Sequence, residues 1–165
     1  METKSDKSKV RNPEAPILFV DDEPTTHKIV SHYLKNWQME SVYSAREALD
    51  VLEKKNFVIV ITDLLMPEMN GLELLHEIKA RYGNRVQVIV VTVSDELDNL
   101  TKVLDGGASD FLLKPLIKED LEEVLEHTLA KITRWKRVMG LLLQRRNKGY
   151  KPQPAGQSLK GAIRV

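Results

Sequence analysis

The chain contains no cysteine. Disulfides and thiolate chemistry are therefore excluded, which agrees with a cytoplasmic location. Long apolar runs are also missing. The longest near any candidate strand is about five residues, against the roughly twenty that a helix needs to cross a bilayer. Residues 1–14 are polar and charged without an apolar core, so they are not expected to act as a signal peptide. From Lys131 to Val165 there is no aspartate or glutamate. The four histidines, His27, His32, His76 and His127, lack a metal-ligand spacing such as i, i+4, and read as surface or helix-packing residues. No internal repeat is present, and no complete DNA-binding module is evident.

What remains is a chain of 165 residues with 42% hydrophobic and 30% charged residues, the range of a globular protein with one core and an extension. The net charge of +1 conceals a partition. Residues 1–14 carry 4 basic and 3 acidic side chains, residues 15–130 carry 11 and 21, and residues 131–165 carry 10 and none. The three nets, +1, −10 and +10, sum to +1. Differently charged regions point to different tasks. The organisation expected is a flexible N-terminal segment over 1–14, a folded domain over 15–130, an extension of the last helix over 131–148 and a flexible basic tail over 149–165.

Strand-like and helix-like segments alternate within the folded region. The apolar stretches predict strands at 17–20, 39–43, 57–62, 86–92 and 110–113. Between them lie helical patterns. Pro24 opens one, followed by Ile29, Val30, Tyr33, Leu34 and Trp37. Ser44 and Glu47 form a capping box for a second. A third carries Leu72, Leu75, Ile78 and Tyr82. A fourth runs over 96–105 to Gly106 and Gly107, and the last starts near Lys118. Five β–α units argue for a parallel sheet covered by helices on both faces. The middle strands are continuous Val/Ile runs, as doubly covered strands should be.

In a parallel sheet all strand C-termini reach one rim, where ligands of open α/β folds bind. Asp21 and Asp22 end the first strand, Asp63 the third and Thr92 the fourth, while Lys114 follows the fifth. Three carboxylates this close repel one another. A hard divalent cation relieves that repulsion, and Mg2+ takes one or two carboxylates beside phosphate oxygens. One carboxylate is then left as a nucleophile, with Lys114 as a second positive charge and the Thr92 hydroxyl as a hydrogen-bond donor. Charge neutralisation and positioning are most of what phosphoryl transfer requires.

The segments VDDEP, TDLLMPEMNG, VVTVS and FLLKP, in this order and at this spacing, resemble the signature of two-component response regulator receiver domains, over roughly residues 15–129. The resemblance implies a flavodoxin-like, doubly wound five-stranded parallel sheet in the order 2-1-3-4-5, with the last helix extended. It casts Asp63 as the phosphoacceptor. Asp22 and Asp63 would ligate Mg2+ with the backbone carbonyl of Leu65, and Asp21 would act mainly through water. Thr92 and Lys114 would bind the phosphoryl group, Phe111 would be the switch aromatic, and Lys114-Pro115 would be a cis peptide. The implied partners are a cognate sensor histidine kinase or phosphotransfer protein and a downstream protein target. The implied chemistry is self-phosphorylation from a donor and slow autodephosphorylation, not that of a conventional enzyme. Two positions depart from the commonest pattern. Val93 stands where alanine or glycine is usual, narrowing access to the acceptor, and apolar Leu65 hinders an attacking water.

Alternative roles are a constitutive dimerising scaffold, against which the intact acidic and lysine positions argue, and a nucleic-acid or membrane adaptor using the basic tail. Leu121, Leu125, Thr128, Ile132, Trp135, Met139 and Leu142 form a heptad stripe on one helix over 118–148. Beyond Ile132 that stripe needs a partner. A homodimer through the C-terminal helix is the expectation, with a helix of another protein as runner-up.

Overall fold

The computed structural model describes residues 15–93 and 97–147. The expectations for 1–14, for Glu96 and for 148–165 fall outside the described residues. Five strands alternate with five α-helices: β1 (Ile17–Val20), α1 (Pro24–Tyr33), β2 (Met39–Val42), α2 (Ala45–Lys54), β3 (Ile59–Asp63), α3 (Gly71–Tyr82), β4 (Gln87–Thr92), α4 (Leu97–Asp105), β5 (Asp110–Leu113) and α5 (Lys118–Asn147). All pairings are parallel, in the order β2-β1-β3-β4-β5. This is the flavodoxin-like doubly wound sheet expected from the sequence.

Side-chain alternation along the strands sorts the core into two layers. Leu18, Val20, Val60, Val88 and Val90 pack with Ala48, Leu52, Leu74, Leu75, Ile78 and Val103 of α2, α3 and α4. The intervening residues Ile17, Phe19, Ile59, Ile61 and Ile89 are equally buried and turn to the other face. That face is left to α1 and the first half of α5, whose buried residues include Val30, Leu121 and Leu125. The continuous Val/Ile runs follow from this double cover.

Local signals place the helix starts. Pro24 occupies the first turn of α1, where its missing N–H has no bond to lose. The Ser44 hydroxyl accepts the Glu47 N–H at 3.2 Å, and the Glu47 carboxylate reaches back to the Tyr43 N–H at 3.0 Å. The Glu47 carboxylate thus reaches one residue short of the N-cap, and the reciprocal capping box is found instead at α3, between Asn70 and Glu73.

The boundaries differ from the hydropathy reading in places. Helix α1 closes at Tyr33. Leu34 and Trp37 are buried in the turn that follows, and Ile29 is exposed. Strand β3 begins at Ile59 and not Phe57, because apolar character marks burial and not ladder pairing. Phe57 is buried but lies before the register with β1 and β4 begins.

The chain divides into two units between Leu129 and Ala130. In the first, α5 buries Leu121, Leu125, Thr128 and Leu129. The described part of the second is the continuation of the same helix, which exposes Trp135, Val138, Met139 and Leu141 to Leu143. No helix of the described residues is long and apolar enough to cross a membrane.

Candidate functional site

The parallel order brings the ends of β1, β3, β4 and β5 to one rim, and the five residues selected from the sequence at those ends meet there. Asp21 and Asp22 follow β1. Asp21 is fully buried and Asp22 is exposed. The Asp21 Oδ1 accepts the Glu23 N–H at 2.8 Å, and its Oδ2 accepts the Lys114 ammonium at 3.1 Å. Asp63 ends the central strand at 6% exposure, and its Oδ1 lies 3.4 Å from the Lys114 Nζ. Lys114 therefore stands between two buried carboxylates. The carboxylate oxygens of Asp21, Asp22 and Asp63 include one from each residue within 4.8 Å of one another.

Burial pushes the Asp63 carboxyl above its ordinary value of 3.8. Lys114 pulls it down, the Asp21 charge raises it again, and the net direction is upward. For Lys114, burial works to lower the ammonium's value, but Asp21 and Asp63 together carry it above its ordinary value. The two directions are consistent. One lysine between these carboxylates is itself strongly held, yet it falls short of compensating Asp63. A donor set made only of oxygen, with an excess of negative charge, fits a hard divalent cation such as Mg2+.

Thr92 closes β4 and is fully buried, and its carbonyl accepts the Lys114 N–H at 2.8 Å. The next residue, Val93, is 62% exposed. Leu65, two past Asp63, is 60% exposed. The peptide Lys114-Pro115 is cis. Phe111 sits in β5 opposite Val90, half-buried. It lines a shallow groove with Leu113, Pro115, Ile117, Asp120 and Glu123.

Two contributors were not legible as such in the sequence. His27, read as a surface or helix-packing residue, is buried, and its Nε2 lies 2.6 Å from the Asp21 carbonyl oxygen. Its ring meets Phe19 edge-on and stacks on Tyr43 at 4.2 Å, so one α1 side chain ties the acidic loop to β1 and to the residue that follows β2. Gly71 begins α3, and its N–H donates to the Leu64 carbonyl at 2.9 Å. A Cβ there would overlap the Asp63 carbonyl oxygen and lie 2.9 Å from Leu64 Cα. The residue with no side chain thus lets α3 close directly behind the acceptor.

Residues 17–126 match a family model described as the response regulator receiver domain. Among curated relatives, the chain is 37% identical over 119 residues to the two-component response regulator ORR26 of Oryza sativa subsp. japonica, covering 70% of this chain and 20% of that protein. It is 30% identical over 126 residues to the two-component response regulator ORR3 of Oryza sativa subsp. indica, covering 74% of this chain and 96% of that protein. The chain spans only 20% to 26% of the length of the first several curated relatives it matches. A response regulator receiver domain protein from Clostridium thermocellum superposes with a TM-score of 0.69 at 28% identity, covering 73% of this chain and 98% of that one.

Proposed function

The chain belongs to the response regulator receiver family, and on that premise we propose that Asp63 accepts a phosphoryl group from a sensor histidine kinase or phosphotransfer protein in a Mg2+-dependent reaction. The supporting observation is that Asp63 meets Asp21, Asp22 and Lys114 at one rim. In this reading an oxygen of Asp63 attacks phosphorus, the donor's phosphorus–nitrogen bond breaks, and the electron pair leaves with the donor imidazole. Asp63 then carries a mixed anhydride.

Asp22 and Asp63, with the Leu65 carbonyl, would hold the cation. Both oxygens of Asp21 are already engaged by Glu23 and Lys114, which suits it to acting through water. Bound Mg2+ supplies the positive charge that the carboxylates and incoming phosphoryl oxygens require. Lys114 moves from neutralising Asp63 to neutralising the phosphoryl group, and the Thr92 hydroxyl donates to a phosphoryl oxygen. Phe111, half-buried here, turns inward as Thr92 shifts, and the β5–α5 surface beside it changes shape for a downstream protein target. Leu65 and Val93 restrict the approach of water, so the autodephosphorylation is slow.

Incubation with Mg2+ and a small phosphodonor should add one acid-stable, hydroxylamine-labile phosphoryl group to the protein. Asp63→Asn should not be labelled there, because an amide is a poor nucleophile. Equal labelling of the variant would remove Asp63 from this role. Labelling that is unaffected by chelation would remove the cation.

A further inference from the structure

The receiver site leaves unexplained the second half of α5. From Ala130 to Asn147 this helix exposes Trp135 (54%), Val138, Met139, Leu142 and Leu143, and Ile132 is half-buried. At about 100° per residue these six side chains occupy one arc roughly 140° wide, broader than a bare a/d seam. Leu141 is the one large apolar side chain on the opposite side. The helix is not long and apolar enough to cross a bilayer, so whatever meets this arc meets it from the side.

Charge selects the occupant. Residues 130–147 hold six basic side chains and no acidic one, and the sequence adds no acidic residue as far as Val165. Lys136 stands just past one edge of the arc and Arg134 past the other, with Arg137 on the reverse. Lys131 and Arg146 fall within the width of the arc but at its two ends along the axis. Their long stems can lie over apolar surface while the charged heads turn to its margin. A second copy would bring six cations against six. A helix of another protein would need acidic side chains spaced to match these cations. Nucleic-acid phosphates would satisfy the cations but leave the apolar arc in water. An anionic lipid surface answers both features. It is planar, it accepts a face wider than a coiled-coil seam, and its headgroups neutralise cations whatever their spacing. Trp135 suits that boundary, because indole joins an apolar body to a polar N–H. Residues 15–130, with a net charge of −10, are repelled by the same surface, which confines the contact to the extension.

We propose that the exposed face of α5 over residues 130–147 binds an anionic lipid surface, lying in its plane with Trp135 and Met139 at the headgroup boundary. This contact uses none of the rim residues and does not depend on phosphorylation chemistry. The full chain should co-sediment with vesicles of phosphatidylcholine and phosphatidylserine in equal parts. It should bind phosphatidylcholine alone poorly, and the mixed vesicles less as salt rises. Asp63→Asn should bind as the parent does. Trp135→Glu should lower the affinity by about tenfold or more, with its far-ultraviolet circular dichroism unchanged. Lys136→Gln combined with Arg137→Gln should lower it by about thirtyfold, because each basic side chain near an anionic surface adds its own attraction. Mixed vesicles should shift the tryptophan emission of the parent to the blue. They should not shift that of Trp135→Phe, whose remaining Trp37 is already buried. No retention on the mixed vesicles overturns the proposal, as does equal retention on phosphatidylcholine alone. Parent-like binding by Trp135→Glu places the contact outside this face and rejects it. Tighter binding to duplex DNA than to the mixed vesicles, lost in the same variants, assigns the face to nucleic acid. A dimer in light scattering that Trp135→Glu dissolves assigns it to a second copy. Either of these results rejects the lipid surface.

Discussion

Asp63 carries the site's electrostatic imbalance. Its carboxyl lies above the ordinary 3.8 because burial outweighs the pull of Lys114. A raised folded-state value means that the native protein holds a proton where the unfolded chain has released it. Stability therefore falls as pH rises through that interval, and the cost is fully present above it. In chelator, Asp63→Asn should be more stable than the parent protein at neutral pH. The difference should close as pH drops below 3.8, where the carboxyl is neutral in both states, and should shrink again when Mg2+ is added. Urea unfolding across that range measures it, and a variant less stable at neutral pH would contradict the direction. The charged members of this site were readable from the sequence because each one ends an apolar strand, and strand ends share a rim. His27 was not readable in the same way. Its contact with the Asp21 carbonyl depends on how α1 lies over β1 and β2, and nothing in the spacing of histidines encodes that.

At the level of elements, the β3–α3 connection does more than join two segments. Leu64 donates its N–H to the Val91 carbonyl at 2.7 Å, and Gly71 donates to the Leu64 carbonyl, while Asn70 and Glu73 cap the helix just behind. A side chain at Gly71 collides with backbone, which cannot swing aside as a flexible side chain can. Gly71→Ala should destabilise the fold by about 3 kcal/mol, at the upper end of overpacking effects. It should also lose most of its phosphoryl labelling, because the carbonyl it displaces belongs to Asp63 itself. Labelling and urea midpoints equal to the parent's would show that the connection yields freely. Element identities followed well from periodicity, and β1 and β5 coincide with their apolar runs. The ends of α1 and β3 did not, since Leu34, Trp37 and Phe57 are buried while lying outside the regular element.

Taken as a whole molecule, the chain separates a compact receiver from a helical extension of opposite charge. The alternation of strands and helices was enough to read the first. The heptad stripe revealed the second, although only the exposure of Trp135, Val138 and Met139 shows how much of it is uncovered. An isolated helix of eighteen residues must first form an unfavourable opening turn. Here the first twelve residues, anchored through Leu121, Leu125 and Leu129, supply that turn. The acidic start and basic end of α5 also offset its backbone dipole. The extension can thus be helical without a partner. Far-ultraviolet circular dichroism of the full chain should then show a helix content that does not change with protein concentration. A content that rises with concentration would mean that the extension becomes helical only on contact.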